Sequence, residues 1–258
     1  MNEPLPALAL LAGGLSTRLR TLTETVPKSM VPVAGEPFIA SQLRWLASQG
    51  IGRVVICCGY MGEQIEDYAG DGAAFGCAVT YSYDGQPLKG TGGAVKKALP
   101  QLGNPFFLMY GDSYLPIAFR PVYESFVRRG RLGLMTVFHN ENRWDTSNVE
   151  FEQGAIRNYD KSNITPRMQY IDYGLGILTP AAFAPWQDDE VFDLSLVYGR
   201  LVKTGQLSGH EVTQRFYEIG TPRGLKETDG MLTNALRSVG KYIQEGSAEL
   251  QIPRLRSG

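Results

Sequence analysis

Cysteine and histidine are scarce. The 258-residue chain holds three cysteines (Cys57, Cys58, Cys77) and two histidines (His139, His210). The cysteines have no metal-ligand spacing and their number is odd, so the sequence supports neither a structural zinc site nor a disulfide framework. Each sits in an apolar run and reads as a small core residue, which fits a reducing compartment. A charge surplus is missing too: 25 Lys and Arg stand against 26 Asp and Glu, for a net charge of -1. A non-specific nucleic-acid coat needs a basic excess and is excluded. No apolar run reaches the roughly 18 residues of a membrane span. The apolar start has no basic region before it and runs into a glycine-rich turn, so it reads as a buried first strand, not a signal peptide. These absences leave a cytoplasmic protein that needs neither nucleic acid nor membrane, and a 43% hydrophobic content excludes disorder.

What is present is an alternation of strand-like and helix-like runs. Short apolar strands are expected at residues 5–11, 53–58, 77–83, 105–112 and 132–138, with helices at 38–49, 61–69, 91–99 and 119–129 between them. This rhythm implies parallel crossovers in an open sheet covered on both faces. Ligands of such sheets bind outside the carboxyl ends of the strands, where the polar motifs gather. After about residue 140 the rhythm changes. A hairpin is expected around Gln153-Gly154, a strand near residues 168–179, a helix over 193–204, a short strand in RFYEIGTP and a last helix over 222–238.

The richest segment is Leu10 to Gly35, LLAGGLSTRLRTLTETVPKSMVPVAG. A strand ends at Leu11, and Ala12, Gly13 and Gly14 let the backbone turn and bring successive amides close to phosphate oxygens. Ser16 and Thr17 add hydroxyls, Arg18 can fork onto phosphate, and Lys28 supplies a second cation. Neither a dinucleotide fingerprint nor a Walker A spacing is present, which disfavours hydride transfer and ordinary ATPase chemistry. In QPLKGTGGA, Gly90, Thr91 and Gly92 permit close contact with a base or ribose before a helix begins, and the amide of Gln86 can pair with a base edge. In YGDSYL, Asp112 closes an apolar strand and can hold Mg²⁺, a hard cation often bound by one or two carboxylates plus substrate phosphates.

With these residues in place, the chain resembles the sugar-phosphate nucleotidylyltransferases. Gly13-Gly14, Thr17-Arg18-Leu19, Pro27-Lys28, Met30 and Pro32 match the family signature, with Ser16 and Ser29 as departures. The resemblance implies a three-layer, Rossmann-like α/β fold with an open, mostly parallel sheet and a smaller β-rich sugar-binding region. It also implies an Mg²⁺-dependent enzyme that joins a nucleoside triphosphate to a small phosphorylated acceptor, a sugar 1-phosphate, and releases pyrophosphate. Arg18 and Lys28 would meet the triphosphate, Asp112 would be the principal metal ligand, and Gln86 falls where some pyrimidine-using members read the base. Glu218 stands where the family commonly has a second metal-binding Asp. Lys161 matches a lysine that contacts the sugar phosphate, and Asp172 and Gly174 occupy an Asn-x-Gly position against the sugar. Asp172 in place of that Asn implies an altered acceptor pocket, for another hydroxyl pattern or an amine. Asn148, in a polar and aromatic stretch with Trp144, is a further acceptor candidate. One catalytic domain is expected over residues 1–240, with a nucleotide-binding half to about 140, an acceptor half over 141–230 and a tail over 241–258. A non-sugar phosphorylated acceptor and a non-catalytic nucleotide-binding module stand as alternatives, and a homo-oligomer is left open.

Overall fold

The structure is a computed structural model that describes residues 3–14 and 23–248, with side chains through residue 238. Strand β1 (Leu8–Leu11) is followed by a ribbon of β2 (Pro32–Val33) and β3 (Glu36–Pro37). Helix α1 (Phe38–Ser48), β4 (Arg53–Cys58), α2 (Gly62–Ala69) and β5 (Ala78–Tyr83) come next, then α3 (Gly90–Ala98) and β6 (Phe106–Tyr110). After β7 (Ser113–Tyr114), α4 (Phe119–Arg129) leads into β8 (Gly133–His139). The later half adds β9 (Val149–Glu152), β10 (Ala155–Tyr159), β11 (Tyr170–Leu178), α5 (Leu194–Lys203), β12 (Leu207–Val212), β13 (Tyr217–Glu218) and α6 (Pro222–Ala248).

The elements form a mixed α/β fold around a nine-stranded sheet of order β5-β4-β1-β6-β11-β8-β12-β10-β9. Four neighbours, β5, β4, β1 and β6, are parallel. β11 then enters antiparallel between β6 and β8. The β9–β10 hairpin closes the far end, so these antiparallel strands extend the main sheet, while β2–β3 and β7–β13 form separate two-stranded ribbons.

Alternation along the strands divides the core into two layers. On one face Leu8, Leu10, Val54, Ile56, Phe107 and Met109 pack with Ile39 and Leu43 of α1, Ile65 of α2, and Phe119, Val122 and Phe126 of α4. On the other, Ala9, Val55, Cys57, Phe106 and Leu108 meet Val95 of α3 and Leu194, Val197 and Leu201 of α5. The apolar spacing in α4 and α5 is that of a single helical stripe. Gly130 ends α4 in the left-handed region at φ 58, and the Asp193 side chain caps α5 by accepting from the Ser195 N–H at 2.8 Å. Pro222 opens α6, where a missing N–H costs nothing.

Two elements differ from expectation. β12 (LSGHEV) lacks the β-branched and aromatic enrichment that marks a strand, and it carries an internal glycine. A Cβ at Gly209 would lie 2.5 Å from the Phe151 ring, so that glycine admits an aromatic from β9. α6 continues past Ser238 to Ala248, into the stretch expected to be a tail. Among the described residues, no helix is long and apolar enough to cross a membrane.

Candidate active site

The chain leaves β1 for β4 and β5 on one side and returns to β6 on the other, which makes the carboxyl ends of β1 and β6 a switch point. The loops there are pressed together by glycines. A Cβ on Gly59, after β4, would sit 2.6 Å from the Gly13 carbonyl oxygen, and one on Gly111, after β6, would sit 2.6 Å from the Leu11 carbonyl oxygen. Main-chain bonds fix the approach: Ala12 N–H donates to Cys57 O at 3.0 Å and Gly111 N–H to Leu11 O at 2.9 Å. Gly13 is thus required for packing against Gly59, whereas Gly14 has open space around it.

A cavity of about 400 Å³ opens at this point, lined by Leu11, Ala12, Gly13, Gly14, Lys28, Gly90, Thr91 and Asp112 among the expected residues. Ser16, Thr17 and Arg18 lie outside the described residues. Gly92 does not line the cavity; it lies beneath Phe192, whose ring a Cβ there would meet at 2.3 Å. The Thr91 hydroxyl donates to Asp193 Oδ2 at 2.8 Å and accepts from Leu194 N–H at 2.9 Å, so it ties the cavity wall to the start of α5. Gln86 is exposed and outside the lining, and Lys89 pairs with Asp189 at 3.1 Å. In their place the wall holds Asp84, which sequence reasoning missed. It is buried, its Oδ1 has no hydrogen-bond partner, and burial pushes its carboxyl above the usual range against the pull of Lys97 and Lys89. Its position just past an apolar strand end was the available signal.

A second cavity, of about 440 Å³, shares Tyr110 and Asp112 with the first. It gathers Asn148, Lys161, Asp172, Gly174 and Glu218 from expectation and adds Asp145 and Thr146. A register shift in β11 between Asp172 and Gly176, with Gly174 at φ 100, breaks the ladder to β8. Such a bulge re-aims side chains and frees backbone groups. Asn148 Oδ1 takes up the freed Asp172 N–H at 3.0 Å, and Asp172 Oδ1 accepts from Gly174 N–H at 3.1 Å. Burial pushes the Asp172 carboxyl up, opposed by the Lys161 charge, the Gly174 amide and the nearby Tyr110 hydroxyl. No donor reaches its buried Oδ2 with hydrogen-bonding geometry. The Lys161 ammonium lies over the Tyr110 ring at 5.4 Å and the Tyr159 ring at 6.0 Å.

Where the cavities meet, Lys28 Nζ lies 2.6 Å from Asp112 Oδ2. The β7–β13 ribbon pairs Ser113 with Glu218, and Ile219 N–H donates to Asp112 O at 2.9 Å, which brings the two acidic residues onto one ribbon. The Glu218 carboxylate accepts from Gly220 N–H and from the Thr221 hydroxyl at 3.0 Å. It therefore caps the turn into α6 while lining the cavity. Among the described residues, no three His, Cys, Asp or Glu side chains converge as a metal cage. Two carboxylates beside space for phosphates instead fit Mg²⁺, which keeps waters and takes much of its shell from substrate.

Trp144 is a packing residue here: the Arg215 guanidinium lies 3.5 Å from its ring centroid and 4.4 Å from that of Tyr217, while Arg215 pairs with Glu227 at 2.7 Å. This stack fastens the loop that carries Asp145 and Thr146.

Known proteins resemble this chain in sequence and in fold. The N-acetylmuramate alpha-1-phosphate uridylyltransferase of Neisseria meningitidis serogroup B is 29% identical over 228 residues, 86% of this chain and 96% of its own. The D-glycero-alpha-D-manno-heptose 1-phosphate guanylyltransferase of Campylobacter jejuni is 28% identical over 83% of this chain and 94% of its own. The crystal structure of HddC from Yersinia pseudotuberculosis superposes with a TM-score of 0.75 at 22% identity, covering 88% of this chain and 100% of that one. The sequence model of the nucleotidyl transferase family matches residues 8–154, more than half of the chain, and the protein belongs to that family.

Proposed function

We propose that the protein transfers a nucleotidyl group from a nucleoside triphosphate to a sugar 1-phosphate, giving a nucleoside-diphosphate sugar and pyrophosphate. The observation that carries this reading is the meeting of the two cavities at the Lys28–Asp112 pair. The cavity at the β1 and β6 ends seats the nucleotide, and the cavity beside β11 seats the acceptor. An acceptor phosphate oxygen attacks the α-phosphorus. The new O–P bond forms as the bond to the α–β bridging oxygen breaks, and pyrophosphate leaves with that electron pair. A phosphate monoester is already largely ionised near neutral pH, so no general base is needed.

The protein's part is positioning and charge neutralisation. Backbone amides at Gly13 and Gly14, with Arg18 by family resemblance, receive the triphosphate, and Lys28 meets the departing pyrophosphate. Asp112 would hold Mg²⁺, with Glu218 beside it directly or through water; the bound ion would neutralise phosphate charge and polarise phosphoryl oxygens. With both substrate and ion bound, Lys28 would pair with phosphate and the Asp112 carboxylate with the cation, in place of their present pair. Lys161 orients the nucleophilic phosphate, and Asp84, with a free acceptor oxygen, reads an N–H edge of the base. Residues 1–240 act as one catalytic unit on this reading, with no role for nucleic acid or membrane.

The test is pyrophosphate release from four nucleoside triphosphates against a panel of 1-phosphates. Release is expected only with metal, nucleotide and a sugar 1-phosphate all present. Release with a non-sugar acceptor alone, or binding without turnover, would overturn the reading.

A further inference from the structure

Among the described residues that line the acceptor cavity, four are carboxylates, Asp112, Asp145, Asp172 and Glu218, and one is a cation, Lys161. Three of the carboxylates already have work inside the protein. Asp112 is paired with Lys28 at 2.6 Å, Glu218 caps its own turn through Gly220 and Thr221, and Asp145 Oδ1 accepts from the Thr146 N–H at 2.7 Å. Asp172 is different. One oxygen is held by Gly174, and the other, Oδ2, is buried with the Tyr110 hydroxyl nearby but outside hydrogen-bonding geometry. The fold brings it there through the β11 bulge, stabilised by the hydrogen bond to Asn148. A buried acceptor without a partner costs stability, and a substrate donor placed against it removes that cost. Lys161, the only cation among the described lining residues, stands over Tyr110 on the side shared with the first cavity. On the sugar 1-phosphate reading it meets the acceptor's phosphate, and among the described lining residues no second cation is left for another anionic group.

We infer that Asp172 selects the acceptor: it takes sugar 1-phosphates that present a hydroxyl or amino donor to Oδ2 and excludes those that carry a carboxylate in addition to the phosphate. The inference rests on the sugar 1-phosphate reading above and narrows it to a chemical class. A carboxylate seated in this cavity would face Asp172 and Asp145 while Lys161 is engaged by the phosphate, a repulsive arrangement of the kind that rejects competing substrates. A site built to hydrogen-bond a substrate donor discriminates strongly because its own buried group is otherwise left unpaired.

The experiment measures kcat/KM by pyrophosphate release for matched neutral, amino and uronic acid 1-phosphates in the gluco and manno series, with the nucleoside triphosphate that gives the highest turnover. The better of the neutral and amino acceptors is expected to exceed the uronic acid by at least about 100-fold. Asp172→Asn, close in shape but without the charge, should reduce that ratio to about 10-fold or less. Asp145→Asn serves the same purpose if the first variant fails to fold, and circular dichroism with nucleotide-induced thermal shift establishes that each is folded. Equal use of a uronic acid 1-phosphate by the wild type, or an unchanged ratio in a folded Asp172→Asn, overturns the inference and leaves the transferase reading standing. Absence of turnover with every sugar 1-phosphate and every nucleotide overturns the reading on which it rests.

Discussion

The two cavities on either side of Asp112 are built from different materials. On the β1 side the wall includes Gly13, Gly14, Gly90 and Gly111, and the loops after β1, β4 and β6 meet through Gly13, Gly59 and Gly111 at separations no side chain would allow. On the β11 side it is made of side chains on the bulged strand β11, on loops and on the β7–β13 ribbon, where carboxylates face one lysine. A triphosphate is common to many substrates and suits fixed backbone donors, which exchange little when one base replaces another. An acceptor sugar varies in its hydroxyls, and on the transferase reading a single side-chain change such as Asp172→Asn is expected to alter its recognition. The first cavity should therefore be sensitive to added volume and the second to changed charge.

The largest effect that separates them is expected from Lys161→Ala. It should lower kcat/KM for the acceptor roughly 100-fold while the KM for nucleotide stays constant. Steady-state kinetics with each substrate varied in turn would check this, and an equal loss on both sides would erase the distinction. Next in size is Gly59→Ala. With backbone atoms of Gly13 at 2.6 and 2.9 Å from the added methyl, a loss of about 1–3 kcal/mol in urea unfolding is expected. Gly14→Ala, in open space, should fall within about 0.5 kcal/mol of wild type. Equal costs at the two positions would contradict the close-packed loops.

The smallest effect concerns Asp84. Burial raises its carboxyl in the folded protein, so the folded state holds that proton more tightly than the unfolded chain. Its contribution to stability is present below the unfolded carboxylate value of about 4 and is lost as pH rises through the folded value. Asp84→Asn removes this dependence. Wild-type stability relative to the variant should decline as pH rises from about 4 towards neutrality. Parallel urea midpoints across that range would show that Asp84 is not desolvated.

The first half of the chain was legible in the sequence because its instructions are local. The Gly13-Gly14 turn, the RVVICC strand and the apolar stripe of α4 each lie within a few residues of the structure they specify. Asp112 was legible for the same reason, as a carboxylate at a strand end. What escaped depends on distant partners. β12 is a strand because β8 and β10 pair with it and Phe151 fills the space above Gly209. Gly90 and Thr91 line the cavity as expected, but that Gly92 accommodates Phe192 and that Thr91 also anchors Asp193, about a hundred residues away, depends on a distant segment. Asp84 lies two residues from Gln86, and only the turn of the chain decides which one faces the cavity. Arg215, between Trp144 and Tyr217, announces itself only once β13 and the 140–148 loop are side by side.

The most direct test of the central claim, that chemistry occurs where the two cavities meet, is pyrophosphate release by Asp112→Asn with saturating nucleotide, sugar 1-phosphate and Mg²⁺. The expected result is a fall in kcat of about 1,000-fold or more. Circular dichroism of this variant should remain that of the wild type, since Asp112 contacts solvent and cavity instead of core. A folded Asp112→Asn protein that turns over at the wild-type rate with Mg²⁺ would contradict the account.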